Sequence, residues 1–335
     1  VLEQPVLPIF WIASDDHDWA EVNHTLAVDG NHGILRVAVE QAGDAPPVPM
    51  SVRRLGKGIA PALDAFAAAL PDTEFAGPID ELLRRAYHPQ ATVAEAFHVL
   101  FAGVLAEIDV AIVDPADHAL KAAAGPMMLR EIENAAAHAE LLARQTSSLE
   151  AAGYHAQVAI APDASNVFAH DEHGRERVVR DGDGWALRST RRILTTEEVR
   201  ARMDREPWSF SPNVLFRPVV ESALLPTVAY VGGPGEVAYF AQIGCLFQAH
   251  GIEPPLVVPR ASLTMLDPAV RRILDKFGME PGDFERPFHE MLTERMRASL
   301  PESVTGPRAD LESSIRMGYD RLTAGAAGID PTLER

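Results

Sequence analysis

Cysteine is almost absent from this chain, since Cys245 is its only thiol in 335 residues. A single cysteine excludes an internal disulfide and a cysteine-rich metal site. Cys245 lies in a predicted helix beside Ile243, Leu246 and Phe247. A thiol buried in such apolar surroundings is a poor nucleophile, so we expect any sulfur chemistry to belong to a substrate rather than to the protein.

Basic residues and long apolar runs are also scarce. The chain has 30 Lys and Arg against 48 Asp and Glu, a formal net charge of −18. This charge argues against nucleic acid and anionic membrane surfaces as partners. No apolar run approaches the roughly 20 residues of a membrane span, and no signal peptide is visible at the start. We therefore expect a soluble, cytoplasmic protein.

The start of the chain carries its most informative feature. Residues 6–12 form an apolar run that predicts a buried strand. The run stops at a dense group of carboxylates and imidazoles, in which Ser14 or Asp15 could cap a following helix. Open α/β sheets bind their ligands where such strands end. The stretch therefore predicts a binding or catalytic site.

His17, Glu21 and His24 would share one face of that predicted helix, because they are four and seven positions apart. A plain capped helix with incidental histidines is the simpler alternative. The density of ionisable groups beside an apolar strand favours a functional site. A shared metal site is disfavoured, because the two histidines would lie about 10 Å apart at ~1.5 Å per residue. We expect no metal in the active site.

A second polar group is predicted further along the chain. Gly233 and Gly235 lie between a predicted strand and helix, where glycine lets backbone approach a ligand. Glu236 in the first turn would compete with a phosphate, which favours an amine or a sugar hydroxyl as ligand. Arg260 follows a later strand and could hold a carboxylate. The structural alternatives are dipole compensation by Glu236, a core role for Tyr239 and a surface position for Arg260.

Three blocks of sequence carry a family resemblance. They are WIASDDHDW with EVNH (residues 11–24), FSPNVLFRP with LPTVAYVGGPGEVAYFAQ (210–242) and VVPRAS (257–262). In this order they resemble the bacillithiol biosynthesis cysteine-adding enzymes, the BshC family, over essentially the whole chain. The resemblance implies a ligase that adds cysteine to glucosaminyl-malate, the last step of bacillithiol synthesis.

Such a reaction needs an activated cysteine carboxyl, because an amine does not displace a free carboxylate at a useful rate. ATP or another nucleotide is therefore the expected cofactor. His17 or His24 would be the general base, and Asp16 or Asp18 would orient the imidazole or bind the ammonium. The remaining predicted substrate-binding residues are Glu21, Asn23, Asn213, Gly233, Gly235, Glu236, Tyr239, Arg260 and Ser262.

The alternation of buried strands with helices predicts an α/β fold. We expect a Rossmann-like parallel sheet core with helical and small β insertions, followed by the start of a C-terminal helical, coiled-coil region. A hairpin is expected over 25–39 with its turn at 29–33, and strands are expected over 156–160 and 166–170. Thr195 or Thr196 is expected to cap a helix over about 196–205, and Ser211-Pro212-Asn213 is expected to start another helix. A long helix over 116–152 is expected to kink at Gly125-Pro126. The predicted parts are core over 1–50 and 108–154, a helical insertion over 51–107, an exposed, charged β-rich insertion over 155–206, core over 207–300 and the helical region over 301–335.

Relative to the family, a Gly-rich N-terminal segment and most of the coiled coil are expected to lie outside this sequence. Full-length members are expected to form homodimers through that coiled coil. Two other functions stay open: a metal-dependent amide hydrolase, and a nucleotide- or thiol-binding module without turnover.

Overall fold

The computed structural model describes residues 5–30, 33–40, 46–187 and 193–329, so the predicted turn residues 31 and 32 and the end of the chain from 330 lie outside the described residues. The chain divides into two compact units, residues 1–260 and 261–335. The boundary falls at Arg260, whereas the sequence placed the end of the core near residue 300.

The first unit contains the strands and most of the helices. The strands are β1 (Ile9–Trp11), β2 (His24–Val28), β3 (Ile34–Ala38), β4 (Ala111–Val113), β5 (Ala164–Asp171), β6 (Gly174–Asp181), β7 (Gly184–Leu187), β8 (Ile193–Leu194), β9 (Phe210–Pro212), β10 (Ala229–Gly232) and β11 (Leu256–Pro259). The helices of this unit are α1 (Trp19–Val22), α2 (Ile59–Ala69), α3 (Ala76–Ala86), α4 (Val93–Val104), α5 (His118–Glu133), α6 (Ala135–Ala151), α7 (Thr196–Arg205), α8 (Arg217–Leu224) and α9 (Pro234–His250).

Two parallel strand pairs form the α/β part of the fold. Strand β1 pairs with β4, and β10 pairs with β11. Helix α9 lies between β10 and β11 in the sequence. Parallel neighbours need a crossover connection, which the intervening helices provide. Ligands of such folds lie at the carboxyl ends of the strands, and those ends carry the predicted site residues: 14–18 after β1 and 233–236 after β10.

The β-rich segment over 155–206 was predicted to be exposed, and this prediction is wrong. Strands β5 to β9 form one antiparallel sheet in the order β8-β7-β6-β5-β9. Apolar side chains of this sheet, among them Val167 and Trp185, are buried in the main core with Met128 of α5 and Met203 of α7. Its charged residues are concentrated in β6, whereas β7 is buried throughout, so a count of charge over the segment hides its buried apolar residues.

Two predicted elements differ for local reasons. Residues 156–160 form no strand, because the backbone N–H and C=O of Val158 bond to the side-chain amide of Gln242 at 3.0 Å each. The predicted long helix is two helices, α5 and α6. The break lies at Asn134, whose side chain donates to the carbonyl of Arg130, while Pro126 sits inside α5.

Several local predictions are confirmed. The β2–β3 hairpin is antiparallel, and α2, α3 and α4 occupy the predicted helical insertion. Thr195 caps α7 and forms a capping box with Glu198. These elements depend on local signals, which explains why the sequence alone located them.

The second unit is helical in its described part, with α10 (Pro268–Phe277), α11 (Phe288–Ala298) and α12 (Glu302–Ile329). The predicted coiled coil and dimer stay predictions. Over the described ranges of the chain, no helix combines the length and apolar character needed to cross a membrane.

Candidate active site

The first polar cluster lies directly after β1 and β4. The backbone N–H of Ile12 donates to the carbonyl of Val113 and extends the pairing by one residue. The next polar residues on the two strands then meet, because the hydroxyl of Ser14 donates to the carboxylate of Asp114. Ser14 is buried, at 1% exposure. Strand pairing therefore fixes where the following residues, 15–18, begin.

Asp15 is held by a buried lysine from α5. The ammonium of Lys121 lies 2.6 Å from Oδ1 of Asp15 and 2.9 Å from the backbone carbonyl of Phe210. Lys121 is 3% exposed. A buried ammonium requires such partners, because burial of an unpaired charge is very costly.

Asp16 and His17 meet an arginine from the β-rich segment. Oδ1 of Asp16 accepts from the backbone N–H of His17 at 2.7 Å. That hydrogen bond and the nearby positive charge of Arg175 favour the ionised form of Asp16. Asp16 is therefore an anion at neutral pH and a weak base.

Arg175 is buried and reaches His17 from β6. Its Nη1 lies 3.1 Å from Nδ1 of His17, while Nε and Nη2 donate to the hydroxyl of Ser211 and the carbonyl of Pro212. Its guanidinium also stacks on Phe168, 3.9 Å from the ring centre. In the part of the chain that the structure describes, no carboxylate lies within 4.0 Å of this cation.

The predicted shared helix face for His17 and His24 is wrong. Helix α1 has only one turn and is capped by Asp18, which accepts from the N–H of Ala20 at 3.1 Å. His17 precedes the cap, and His24 starts strand β2. Helix α1 ends here because the residues of the following strand β2 favour extended backbone. Glu21 and His24 are exposed.

His24 instead contacts its own neighbour. Nδ1 of His24 lies 2.9 Å from Oδ1 of Asn23. An amide oxygen only accepts, so Nδ1 carries the proton and Nε2 keeps a free lone pair in the neutral ring. Asn23 thereby orients one of the two predicted bases.

The second polar cluster lies after β10 and centres on Glu236. Oε1 accepts from the Tyr230 hydroxyl at 2.6 Å, and Oε2 accepts from the N–H of Gly233 at 2.8 Å. Arg217 of α8 lies 3.5 Å from Oε1 and donates to the hydroxyls of Tyr230 and Tyr239 at 2.9 and 2.7 Å. Glu236 thus accepts the N-cap N–H of α9 and also holds a polar network. Its place in the first turn fits the structural alternative, compensation of the helix dipole.

Ionisation in this network follows from its hydrogen bonds. Burial opposes the charge on Glu236, but the bonds from Tyr230 and Gly233 and the Arg217 charge outweigh burial and lower its pKa. Burial and the bond to Glu236 raise the pKa of Tyr230, which stays a donor. Burial and the negative charge of Glu236 raise the pKa of Glu221 to about 7, with Arg217 opposing.

Arg260 completes the outer side of this cluster. Its Nη1 lies 3.8 Å from Oε2 of Glu236, and its side chain is 63% exposed. Gly233 allows this approach, because a Cβ there would lie 2.6 Å from Nη2 of Arg260. At Gly235 a Cβ would lie 3.6 Å from the side chain of Gln157, an ordinary contact distance, so the space there does not require glycine. Ser262 is exposed and belongs to the second unit.

Asn213 is held in the interior. Its Oδ1 accepts from the N–H groups of Leu215 and Phe216 at 3.0 and 2.9 Å, and its Nδ2 donates to Oδ1 of Asn166. Ser211-Pro212-Asn213 was predicted as a helix start, but Ser211 and Pro212 end strand β9 and α8 starts only at Arg217. Pairing of Ser211 with β5 outweighs the local cap signal.

The segment 210–217 contacts both polar clusters. The carbonyls of Phe210 and Pro212 accept from Lys121 and Arg175, and Arg217 enters the Glu236 network. Between the residues that the structure describes, no hydrogen bond or ion pair joins the two clusters directly. The structure therefore groups Asp16, His17 and Asp18 in one place, groups Gly233, Glu236, Tyr239 and Arg260 in another, and connects them through one strand and turn.

Sequence reasoning missed Lys121, Arg175 and Glu221. Each stands in a stretch that reads as an ordinary helix or strand. A lysine in an otherwise apolar part of α5 is a weak signal of a buried ion pair. Nothing local distinguishes Arg175 from the neighbouring arginines of β6.

A third polar group is buried between α5, α6 and α9. Oε2 of Glu131 lies 2.5 Å from Nδ1 of His138 and 2.9 Å from Nε2 of His250, while Oε1 accepts from Asn166 at 2.7 Å. Burial opposes the charge of Glu131, but these bonds outweigh it and lower its pKa. The three side chains have the types and spacing of metal ligands.

His250 decides between a metal site and a hydrogen-bond network. Its Nδ1 is buried without a partner among the described residues. Metal bonded to Nε2 would force the proton onto Nδ1, and histidine ligands normally donate that proton to an acceptor. If the proton lies on Nε2 and is donated to Glu131, Nδ1 keeps only a lone pair without a partner, which costs less than a buried N–H without an acceptor. The donor set fits a hydrogen-bonded network better than a metal.

Comparison with known proteins identifies the family. The family described as "Bacillithiol biosynthesis BshC, N-terminal Rossmann-like domain" matches residues 1–261. The chain belongs to the BshC family. This match and the parallel strand pairs confirm the predicted Rossmann-like α/β fold.

Curated relatives support the same assignment. The chain is 34% identical over 333 residues to the "Putative cysteine ligase BshC" of Koribacter versatilis, a match that covers 98% of this chain and 61% of the relative. The protein of the same name from Salinibacter ruber is 33% identical over 331 residues, covering 98% and 60%. The chain therefore spans about 60% of the length of these BshC relatives.

Proposed function

We propose that this chain carries the active site of a cysteine ligase, which joins the carboxyl of cysteine to the amine of glucosaminyl-malate. The observation that carries the proposal is the arrangement of the BshC-like blocks: residues 14–18 and 233–236 follow parallel strands, and 210–217 contacts both groups. The names of the relatives favour a ligase over the hydrolase and over a binding module without turnover.

Charge divides the substrates between the clusters. The first cluster combines the carboxylates of Asp15, Asp16, Asp18 and Asp114 with the cations Lys121 and Arg175. This surplus of negative charge suits the ammonium of cysteine. The positive charge of the buried Arg175 beside these aspartates suits the carboxyl of the same zwitterion.

The second cluster has the opposite balance. Arg217 and Arg260 both face the single charge of Glu236, and Glu221 is half protonated near neutral pH. A net positive site supports a carboxylate ligand, so we assign the malate group here and Arg260 as the side chain that holds it. Glu236 then orients Tyr230 and the two arginines and is left with little capacity for a substrate amine.

ATP or another nucleotide is the cofactor we propose for carboxyl activation. Formation of an acyl-phosphate or acyl-adenylate on cysteine would supply the leaving group that a free carboxylate lacks. The residues of this chain would bind and orient the two substrates around that step.

Of the two predicted bases, His24 has the hydrogen bonding that the role requires. Its Nδ1 is engaged by Asn23, so the exposed Nε2 keeps the lone pair that must accept a proton from the amine. Nδ1 of His17 instead faces a donor, which supports another role for that side chain.

The test is product formation by the purified chain with L-cysteine, glucosaminyl-malate and ATP, followed by mass spectrometry. We expect a product of the mass of bacillithiol that requires all three reactants. His24→Gln should lower kcat about 10²–10⁴-fold, whereas the exposed His98→Gln should leave it unchanged. Absence of product with ATP and with other nucleoside triphosphates would overturn the proposal, and release of cysteine from bacillithiol would favour the hydrolase.

A further inference from the structure

His17 and Arg175 form a contact that assigns a proton. A guanidinium only donates hydrogen bonds, so Nδ1 of His17 must accept at 3.1 Å from Nη1. The proton of the neutral ring then lies on Nε2. The carboxylate of Asp16 lies farther from Nδ1, at 3.5 Å, and already accepts the backbone N–H of His17 at 2.7 Å. The arginine therefore decides the tautomer.

Arg175 is itself fixed in place. Its Nε and Nη2 are bonded to Ser211 and to the carbonyl of Pro212 on β9, and its face rests on Phe168. The residue is 7% exposed. Three anchors on neighbouring strands leave the guanidinium little freedom, so the His17 contact is part of the fold rather than one of many rotamers.

The other nitrogen of His17 is open. Within the described part of the chain, Nε2 has no hydrogen-bond partner, and the side chain is 30% exposed. The Nε2–H donor therefore points away from Arg175 and is available for a hydrogen bond to a ligand. Arg175, the cation beside His17, has no carboxylate within 4.0 Å among the described residues. At Nε2 itself, the N–H donor and this cation favour a carboxylate, whereas the nearby aspartates favour the ammonium of the same zwitterion.

We propose that Arg175 is a positioning residue that fixes His17 as the Nε2–H tautomer, and that His17 donates this N–H to the carboxyl of the bound cysteine. The inference rests on the proposed function for the identity of the ligand, but the tautomer itself does not. His17 is then a donor to the carboxyl that reacts, and the proton acceptor of the reaction is a different side chain.

Nitrogen NMR on the wild-type chain tests the tautomer without any substrate. Long-range ¹H–¹⁵N spectra distinguish a protonated Nε2 from a protonated Nδ1, and His17→Gln identifies the His17 signals by their loss. We expect Nε2–H in the wild type. Arg175→Met should move the His17 signals toward the Nδ1–H form, with Arg177→Met as the matched control on the same strand. A wild-type Nδ1–H tautomer would overturn the proposal even if Arg175→Met fails to fold.

Calorimetry with L-cysteine tests the ligand. His17→Ala should weaken binding about 10- to 100-fold, the usual effect of losing a hydrogen bond to a charged group, whereas His17→Gln, which keeps a donor in the place of Nε2, should restore most of it. Cysteamine, which lacks the carboxyl, should bind His17→Ala and the wild type equally, and L-malate should be insensitive to both variants. Equal loss of cysteine and cysteamine binding in His17→Ala would contradict the donor role. If the wild type binds no cysteine, the proposed function fails while the tautomer result stands.

Discussion

The buried Lys121 and the half-buried Asp15 form an ion pair, with Nζ 2.6 Å from Oδ1, although 106 positions separate them in the chain. The pair joins α5 to the turn after β1. It also places the backbone of the first polar cluster, because Asp15 directly precedes Asp16 and His17. The site therefore depends on a residue that makes no direct contact with the predicted catalytic side chains.

Substitution of Lys121 by methionine should destabilise the fold. The variant keeps the apolar stem but leaves Asp15 and the carbonyl of Phe210 without their donor, so the free energy of unfolding should fall by about 3 kcal/mol. Urea denaturation measures this loss, and the exposed Lys57→Met is the matched control. The double variant with Asp15→Asn should recover part of the loss. A Lys121→Met variant as stable as the control would show that the pair contributes nothing.

Glu221 should make stability depend on pH near neutrality. Its pKa is raised from 4.5 to about 7 in the folded chain, and its Oε2 is buried without a partner among described residues. A raised folded pKa gives stability that is complete below about pH 4.5 and is lost as pH rises through 7. The loss should reach about 3 kcal/mol.

Glu221→Gln removes that titration. We expect the variant to gain stability relative to the wild type between pH 5 and 8, measured by urea denaturation at several pH values. The exposed Glu197→Gln should follow the wild-type curve. A constant difference between Glu221→Gln and wild type across this range would mean that Glu221 keeps an ordinary pKa.

Glu131 should make stability depend on pH in the opposite direction from Glu221. Its folded pKa is lowered by the bonds from His138 and His250, so its contribution is present above the ordinary value of 4.5 and is lost as pH falls below it. Glu131→Gln should cost about 1.5–3 kcal/mol at pH 7, and the difference from the wild type should shrink in acid. Treatment with EDTA should leave the unfolding midpoint unchanged, and a marked fall would instead reveal a bound metal.

Substitution by alanine should affect stability differently at Gly233 and at Gly184. At Gly233 a Cβ would crowd only the exposed end of the Arg260 side chain and would lie at ordinary contact distance from Glu236. Gly233→Ala should therefore cost less than about 1 kcal/mol while it displaces Arg260 from Glu236. At Gly184 a Cβ would lie 2.8 Å from the backbone oxygen of Leu194, and the cost should be about 1–3 kcal/mol. Thermal unfolding compares the two, and equal losses would contradict this account.

The sequence by itself determined the elements whose signals are local. Apolar patterns located α2 to α4, the Thr195 cap fixed the start of α7, and the polar residues after two strands marked both clusters. These predictions succeed because capping, turn formation and hydrophobic periodicity act over a few residues. The same local reading was wrong about His17 and His24, because the β2–β3 hairpin ended α1 after one turn.

Only the tertiary structure decided which side chains meet. Arg175 reaches His17 across 158 positions and Lys121 reaches Asp15 across 106. The residues next to Arg175 and Lys121 in the sequence do not reveal these contacts. A buried cation is stabilised by partners that only the fold brings to it. Sheet pairing and helix packing therefore set the protonation of His17 and the charge of both clusters, whereas the sequence alone determined that polar residues would stand at the ends of those strands.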